Sequence, residues 1–279
     1  MKSIFLSSEE LQRLMNYVKR NGLREIKVKS RYEIFRIDDK ERDVGIIAYK
    51  TGMVVHNDTD SSRSIIRKII EVERGYDYVL GTDEAGKGEW YGPLVVECVA
   101  LTPDDMKGFR EMGIRDSKKI DKRSLLEMGK ELTRLKFIRR PLILMPEIYN
   151  KKYEEFKKEG KTLNDMLAWA HSRAIKDLLS ELEFENAKVI IDKFDVKKIE
   201  FRLGDLKREN VEIIQKTKAE TEIPVAAASV LAKFIFEKEV DGLNEKFGIN
   251  LRKAKPEKIP AEILPKVAKL HFKNVRGIS

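Results

Sequence analysis

Two adjacent acids, Asp83 and Glu84, end an apolar segment and run straight into Gly86-Lys87-Gly88, within the stretch Gly81-Thr-Asp-Glu-Ala-Gly-Lys-Gly-Glu-Trp-Tyr-Gly-Pro93. Carboxylates at a strand terminus can offer oxygen ligands to a hard cation. Glycines let the main chain approach a ligand, and Lys87 offers charge to a phosphate. An acidic hairpin turn without catalytic duty would carry the same residues, because a bare Gly-x-Gly is common. A third acid, Asp192, closes the apolar run Val189-Ile190-Ile191. An unpaired charge at the end of a buried strand is costly, so its presence there asks for a use. Asp195, three residues on, belongs either to the same site or to the following loop, and Asp205 is equally open. Glu220, in Thr217-Lys218-Ala219-Glu220, follows another strand pattern and precedes Ala226-Ala227-Ala228-Ser229. Taken alone it reads as a solvated loop acid.

Taken together, carboxylates from separate strand ends with a lysine nearby suit phosphodiester cleavage assisted by two divalent cations. Other chemistries find less support. His56, His171 and His271 fall in three different elements, and no His/Cys cluster has zinc spacing. His171, beside Trp169 on a helical pattern, reads as a packed or helix-surface histidine rather than a ligand. Trp90 and Tyr91, just past the glycine turn, either stack on bases or sugars or pack in the core.

The elements that must position these acids begin near Tyr76. Tyr78–Thr82 and Pro93–Leu101 read as apolar strands, Phe137–Leu144 as a third, and Lys188–Asp192 and Val211–Gln215 as two more. Helical periodicity runs over roughly Thr162–Leu182, and Pro224–Phe247 reads as a long helix whose small residues suit close packing on a sheet. Strands first, then strands alternating with helices, predict a mixed sheet flanked by helices, in the α/β (α+β) class. Residues 1–74 carry a pattern of their own. A helix starts at Ser8 and ends at Asn21-Gly22; short strands follow at Glu25–Lys29, Tyr32–Ile37, Val44–Tyr49 and Met53–His56; a second helix covers about Ser61–Glu73. Two helices covering one face of such a sheet would leave the other free, and Lys27, Lys29, Arg31 and Arg36 on that face could lie along a nucleic-acid duplex. The alternative is that they are solvated strand residues.

Composition agrees with an acidic partner. The net charge is +9, and the stretch from Leu251 to Ser279 carries eight Lys/Arg against Glu257 and Glu262. Lys and Arg neutralise phosphates and release counterions. The single cysteine, Cys98, lies in an apolar run, reads as a small buried hydrophobe and excludes an intrachain disulfide. The apolar start is interrupted by Glu9 and Glu10 too early for a signal peptide, and no run approaches the ~20 apolar residues of a membrane span. A cytoplasmic monomer without a membrane or protein partner is the expectation. Charged residues reach 37% and glutamine is nearly absent, a composition often met in thermophiles.

The segment from Asp83 to Pro93 resembles the signature of the type 2 ribonucleases H, which comprise ribonucleases HII and HIII. Arg115-Asp116-Ser117-Lys118-Lys119, Asp192 closing its strand, and Ala226-Ala-Ala-Ser-Val-Leu-Ala-Lys233 match in the same order, so the resemblance covers nearly all of residues 76–279. Thr217-Lys-Ala-Glu220, Leu167-Ala-Trp-Ala-His171 and Lys269-Leu-His-Phe-Lys-Asn274 are similar to the ribonuclease HIII branch. That branch implies a ribonuclease H-like catalytic domain over 76–279 with a mixed five-stranded sheet, and a small α+β domain over 1–74 similar to the TATA-binding protein. It implies Asp83, Glu84, Asp192 and Glu220 as catalytic metal ligands for two Mg²⁺ or Mn²⁺ ions. It further implies Gly86, Lys87, Gly88, Lys118 and Ser229 as nucleic-acid contacts, with the glycine-turn backbone reading 2′-hydroxyls. The implied reaction cuts the RNA strand of RNA/DNA hybrids and leaves 3′-hydroxyl and 5′-phosphate ends. Gly-Lys-Gly departs from the Gly-Thr-Gly of most ribonuclease HIII sequences toward the Gly-Arg-Gly of ribonuclease HII, and Glu220 sits one residue away from the ribonuclease HII acid. Cleavage at a single ribonucleotide in DNA is therefore the second enzymatic reading. A duplex-binding protein without catalysis is the third, disfavoured because acids at the ligand would repel phosphate without a metal.

Overall fold

The computed structural model describes residues 1–70, 75–114, 121–192, 199, 202–204, 210–217 and 219–278, apart from the side chain of Glu9. The chain builds two five-stranded sheets, each with its own apolar core. The first contains β1 (Lys2–Phe5), β2 (Glu25–Ile26), β3 (Glu33–Asp39), β4 (Val44–Tyr49) and β5 (Met53–His56), all antiparallel in the order β1-β5-β4-β3-β2. Two helices, α1 (Ser8–Arg20) and α2 (Asp60–Ile70), cover one face. The cap of α1 is Ser7, one residue before the expected start. Its hydroxyl accepts from Glu10 N–H and Glu10 Oε2 accepts from Ser7 N–H, a reciprocal pair that satisfies donors otherwise orphaned at a helix start.

Alternation decides which residues this sheet buries. Phe35, Ile37, Ile46, Ala48 and Val54 pack against Leu14 and Val18 of α1 and Ile65, Ile66 and Ile69 of α2. The opposite row runs Ile26–Arg36–Ile47–Val55–Ser3 across the strands. The basic face expected from the sequence is thus reduced to one strand residue. β2 stops at Ile26, so Lys27, Lys29 and Arg31 lie in the connection to β3, and Arg36 alone stands on the sheet. Its guanidinium is paired with Glu33 at 2.8 Å. β1 was not foreseen: four residues with no turn signal before them complete the sheet only by pairing with β5.

The second sheet comprises β6 (Tyr78–Ala85), β7 (Leu94–Leu101), β8 (Ile138–Leu144), β9 (Ala187–Asp192) and β10 (Val211–Lys216), in the order β10-β9-β6-β7-β8. β6, β9 and β10 are mutually parallel, while β7 and β8 are antiparallel additions, so the sheet is mixed as expected. Around it lie α3 (Pro103–Glu111), α4 (Lys122–Leu132), α5 (Pro146–Lys158), α6 (Leu163–Leu179), the long α7 (Ile223–Phe247) and the short α8 (Leu264–Val267). α6 packs on one face of the sheet through Ala170, Ala174, Ile175 and Leu178 against Leu80, Val96, Val189 and Ile191. α7 packs on the other through Val225, Ala226, Ala227 and Val230 against Val79, Val99 and Ile190. The result is a three-layer sandwich. β6 and α7 touch at Gly81, where an added Cβ would lie 2.3 Å from Pro224 C and Val225 N, so only glycine admits the helix so close to the strand. No described helix is long and apolar enough to cross a membrane.

Candidate active site

β6 carries both neighbouring acids, and alternation sends them to opposite faces. Gly81 and Asp83 face α7, where Asp83 is hydrogen-bonded to the Ser229 hydroxyl. Thr82 and Glu84 face α6, where both meet His171: its Nε2 lies 3.2 Å from Glu84 Oε2 and its Nδ1 lies 3.0 Å from Thr82 Oγ1. The parallel register then places the third acid. Thr82 pairs with Ile191, so Asp192 stands beside Asp83 on the α7 side. The fourth acid arrives through a 3₁₀ turn, Ala219–Thr221, whose Ala219 N–H points at Asp192 Oδ1 at 3.4 Å and holds Glu220 next to the end of β9. Sequence-distant acids thus meet at the carboxyl ends of the two central parallel strands.

The electrostatics of the pair are unequal. Burial and the neighbouring charge of Glu84 push the Asp83 carboxyl up to about 6, against the opposing bond from Ser229. For Glu84, burial works in the same direction but is outweighed. The bond and charge of His171, with the charge of Lys87, hold it down at about 2. Lys87 Nζ lies 3.5 Å from Glu84 Oε1. Among the described residues, no three His, Cys, Asp or Glu side chains stand close enough together to hold a metal ion.

The glycine turn divides its labour. Gly86 has φ +85° and a Cβ there would strike Pro93 O at 2.2 Å, so its glycine serves the backbone. Gly88 is exposed, with nothing within 4 Å of an added Cβ, leaving room for a ligand beside the main chain. Trp90 and Tyr91 are half-buried and pack together: their rings meet edge-on at 5.3 Å and Tyr91 lies 6.2 Å from Phe236. Lys118, Asp195 and Asp205 lie outside the described residues. Ser229 is buried against Asp83 rather than exposed to a partner.

Three residues around the site escaped the sequence reading. His171, expected to be a packed or surface histidine, is buried and bound to Glu84. Glu97, opposite Asp83 on β7, is fully buried; desolvation pushes it up to about 7 despite Arg139 at 3.2 Å. An acid interrupting Val95-Val96 and Cys98-Val99 was the available signal. Lys269 is also fully buried, and its ammonium donates to the carbonyls of Glu89 and Tyr91 at 3.0 Å each, tying the chain after α8 to the segment beyond the glycine turn.

A three-layer α/β sandwich with carboxylates gathered at the ends of its central strands is the frame of an acid-based hydrolase. Comparison with known proteins sharpens that class. The ribonuclease HII family matches residues 80–275. Ribonuclease HIII of Chlamydia felis (strain Fe/C-56) is 34% identical over 213 residues, 71% of this chain and 69% of the relative. Ribonuclease HIII of Bacillus mycoides (strain KBAB4) is 28% identical over 269 residues, 82% of this chain and 83% of the relative. The crystal structure of Bst-RNase HIII in complex with Mn²⁺ shares the fold, with a TM-score of 0.64 at 22% identity over 98% of this chain and 97% of that one. The chain belongs to the type 2 ribonuclease H family, alongside relatives named ribonuclease HIII.

Proposed function

We propose that this protein cuts the RNA strand of RNA/DNA hybrids internally, with Asp83, Glu84, Asp192 and Glu220 holding two divalent cations, Mg²⁺ or Mn²⁺. The observation that carries the reading is the convergence of Asp83 and Asp192 on one side of adjacent parallel strands, with Glu220 delivered to the same strand end. All four donors are hard oxygens, the set preferred by Mg²⁺ and Mn²⁺. Asp83 suits a cation as well: burial and the neighbouring charge of Glu84 disfavour its ionised form, a cost that a bound positive charge offsets. When bound, divalent cations stabilise charge on the attacking and departing oxygens of a phosphodiester, leaving 3′-hydroxyl and 5′-phosphate ends.

The chain's own residues supply position and recognition. Ser229 and the Ala219 N–H orient Asp83 and Asp192. The open backbone at Gly88 suits an approach to ribose 2′-hydroxyls, with Lys87 and Lys118 as phosphate partners. Residues 1–74 form a separate substrate-binding domain through the free sheet face and the Lys27, Lys29 and Arg31 connection, and residues 76–279 the catalytic domain, in a monomer. Electrostatic grip of this kind weakens steeply with salt. Removing residues 1–74 should raise the Michaelis constant far more than it lowers turnover; collapsed turnover at unchanged affinity would refute the domain's role.

The deciding experiment incubates the protein with a labelled RNA/DNA hybrid and Mg²⁺ or Mn²⁺, beside EDTA and Asp83→Asn controls. Cutting at several positions, lost in both controls, is expected. Preferential cutting of a DNA duplex at one embedded ribonucleotide would give the second reading precedence and Lys87 a recognition role. Tight hybrid binding with no cleavage under any divalent metal would replace both with a binding function.

A further inference from the structure

Alternation along β6 turns Glu84 away from Asp83 and Asp192 toward α6, and there it meets His171. This histidine lies on α6, 2% exposed, and reaches across the layer boundary to Glu84 Oε2 at 3.2 Å. Its other ring nitrogen is engaged by Thr82, itself 1% exposed, at 3.0 Å. Thr82 Oγ1 also lies 2.9 Å from the Glu97 carbonyl oxygen, so three consecutive contacts run from the β7 backbone to the Glu84 carboxylate. An ionised carboxylate only accepts hydrogen bonds, so Nε2 must carry the hydrogen that faces it, and Thr82 holds the ring in the orientation that delivers it.

The two oxygens of Glu84 are thereby made different. Oε2 is committed to a buried, rigid donor. Oε1 faces Lys87 at 3.5 Å, whose side chain is 39% exposed and can swing away into water. We propose that His171, braced by Thr82, is a positioning residue that sets the Glu84 rotamer and leaves Oε1 as the oxygen offered to a divalent cation. This rests on the reading of Glu84 as a ligand. A ligand carboxylate held from behind by a second side chain keeps its orientation as the cation binds, and loss of such a partner typically weakens metal affinity by about 10–100-fold.

The test is Mn²⁺ binding by isothermal titration calorimetry on the full chain, with the hybrid KM and kcat measured in parallel. His171→Ala should weaken Mn²⁺ by about 10-fold or more. Its kcat at low Mn²⁺ should fall and recover at high Mn²⁺, while KM for the hybrid stays unchanged. His171→Gln, which keeps an N–H donor, should restore part of the affinity. Thr82→Val, close in shape and lacking the brace, should lower affinity in the same direction. Glu84→Gln serves as the reference. If Glu84→Gln weakens Mn²⁺ binding while folded His171→Ala and Thr82→Val keep wild-type affinity, the positioning role is wrong. If Glu84→Gln itself leaves Mn²⁺ binding untouched, the ligand reading fails and takes the proposal with it. Should His171→Ala not fold, His171→Gln and Thr82→Val decide by the same criterion.

Discussion

Glu10 of α1 and Arg110 of α3 join the two sheets' helical layers through a 2.7 Å ion pair whose side chains are only 4% and 9% exposed. The same carboxylate closes the cap of α1 through its other oxygen, so one buried acid serves a local helix start and a long-range contact at once. Breaking a buried pair by removing one partner leaves a charge desolvated and uncompensated, typically at a cost of about 3–5 kcal/mol. Arg110→Met should therefore lower the unfolding free energy by an amount in that range, and the Glu10→Gln/Arg110→Met double variant should lose less than the two single losses combined. Additive losses, measured by urea unfolding, would mean the pair is not coupled.

At Gly81, β6 and α7 make close backbone contact. A Cβ there would meet backbone atoms of Pro224 and Val225 at 2.3 Å, which no side-chain adjustment relieves. Gly81→Ala should lose at least about 1–3 kcal/mol of stability. It should also lower turnover, because shifting α7 moves Ser229 off Asp83. A midpoint equal to wild type would show that the helix can retreat freely.

Lys269 should give stability a dependence on alkaline pH. Burial, only partly countered by Glu89, lowers its ammonium from 10.5 to about 7. Between those values the unfolded chain holds a proton that the folded chain has shed, so stability rises with pH across that window. Below about 7 both states are protonated and the contribution is flat. Lys269→Met should remove this slope, and thermal unfolding from pH 6.5 to 10 compares the two proteins. Parallel curves would mean that Lys269 keeps an ordinary ammonium.

Divalent cations should stabilise the folded protein through the proposed ligands. A ligand at 100 times its dissociation constant adds about 2.7 kcal/mol. Mg²⁺ or Mn²⁺ should raise the melting temperature of the wild type, and Asp83→Asn and Asp192→Asn should blunt the rise. An equal rise in both variants would move the cation elsewhere on the chain.

Local pattern was enough for much of this molecule. β4 and β5 begin and end where alternation places them, Val44–Tyr49 and Met53–His56, because an alternating row half-buried on one face leaves its period in the residues. The unbroken apolar run of β7 and the small-residue start of α7 likewise betray burial. The acids that end β6 and β9 stood out for the same reason, as charges where the pattern demanded apolar residues. By itself, then, the sequence determined every strand but β1, the helices α1, α2, α6 and α7, the mixed helix-flanked sheet and the family. Other features needed the chain folded. β1 exists only through pairing with β5, and α3, α4 and α5 were not foreseen as helices. The placement of Asp192 beside Asp83 depends on the parallel register of β6 and β9, which no periodicity encodes. His171 finds Glu84 across 87 residues, and Lys269 finds Glu89 across 180. Such partners are chosen by how layers stack, and a side chain's neighbours along the chain carry no record of what packs against it from another element.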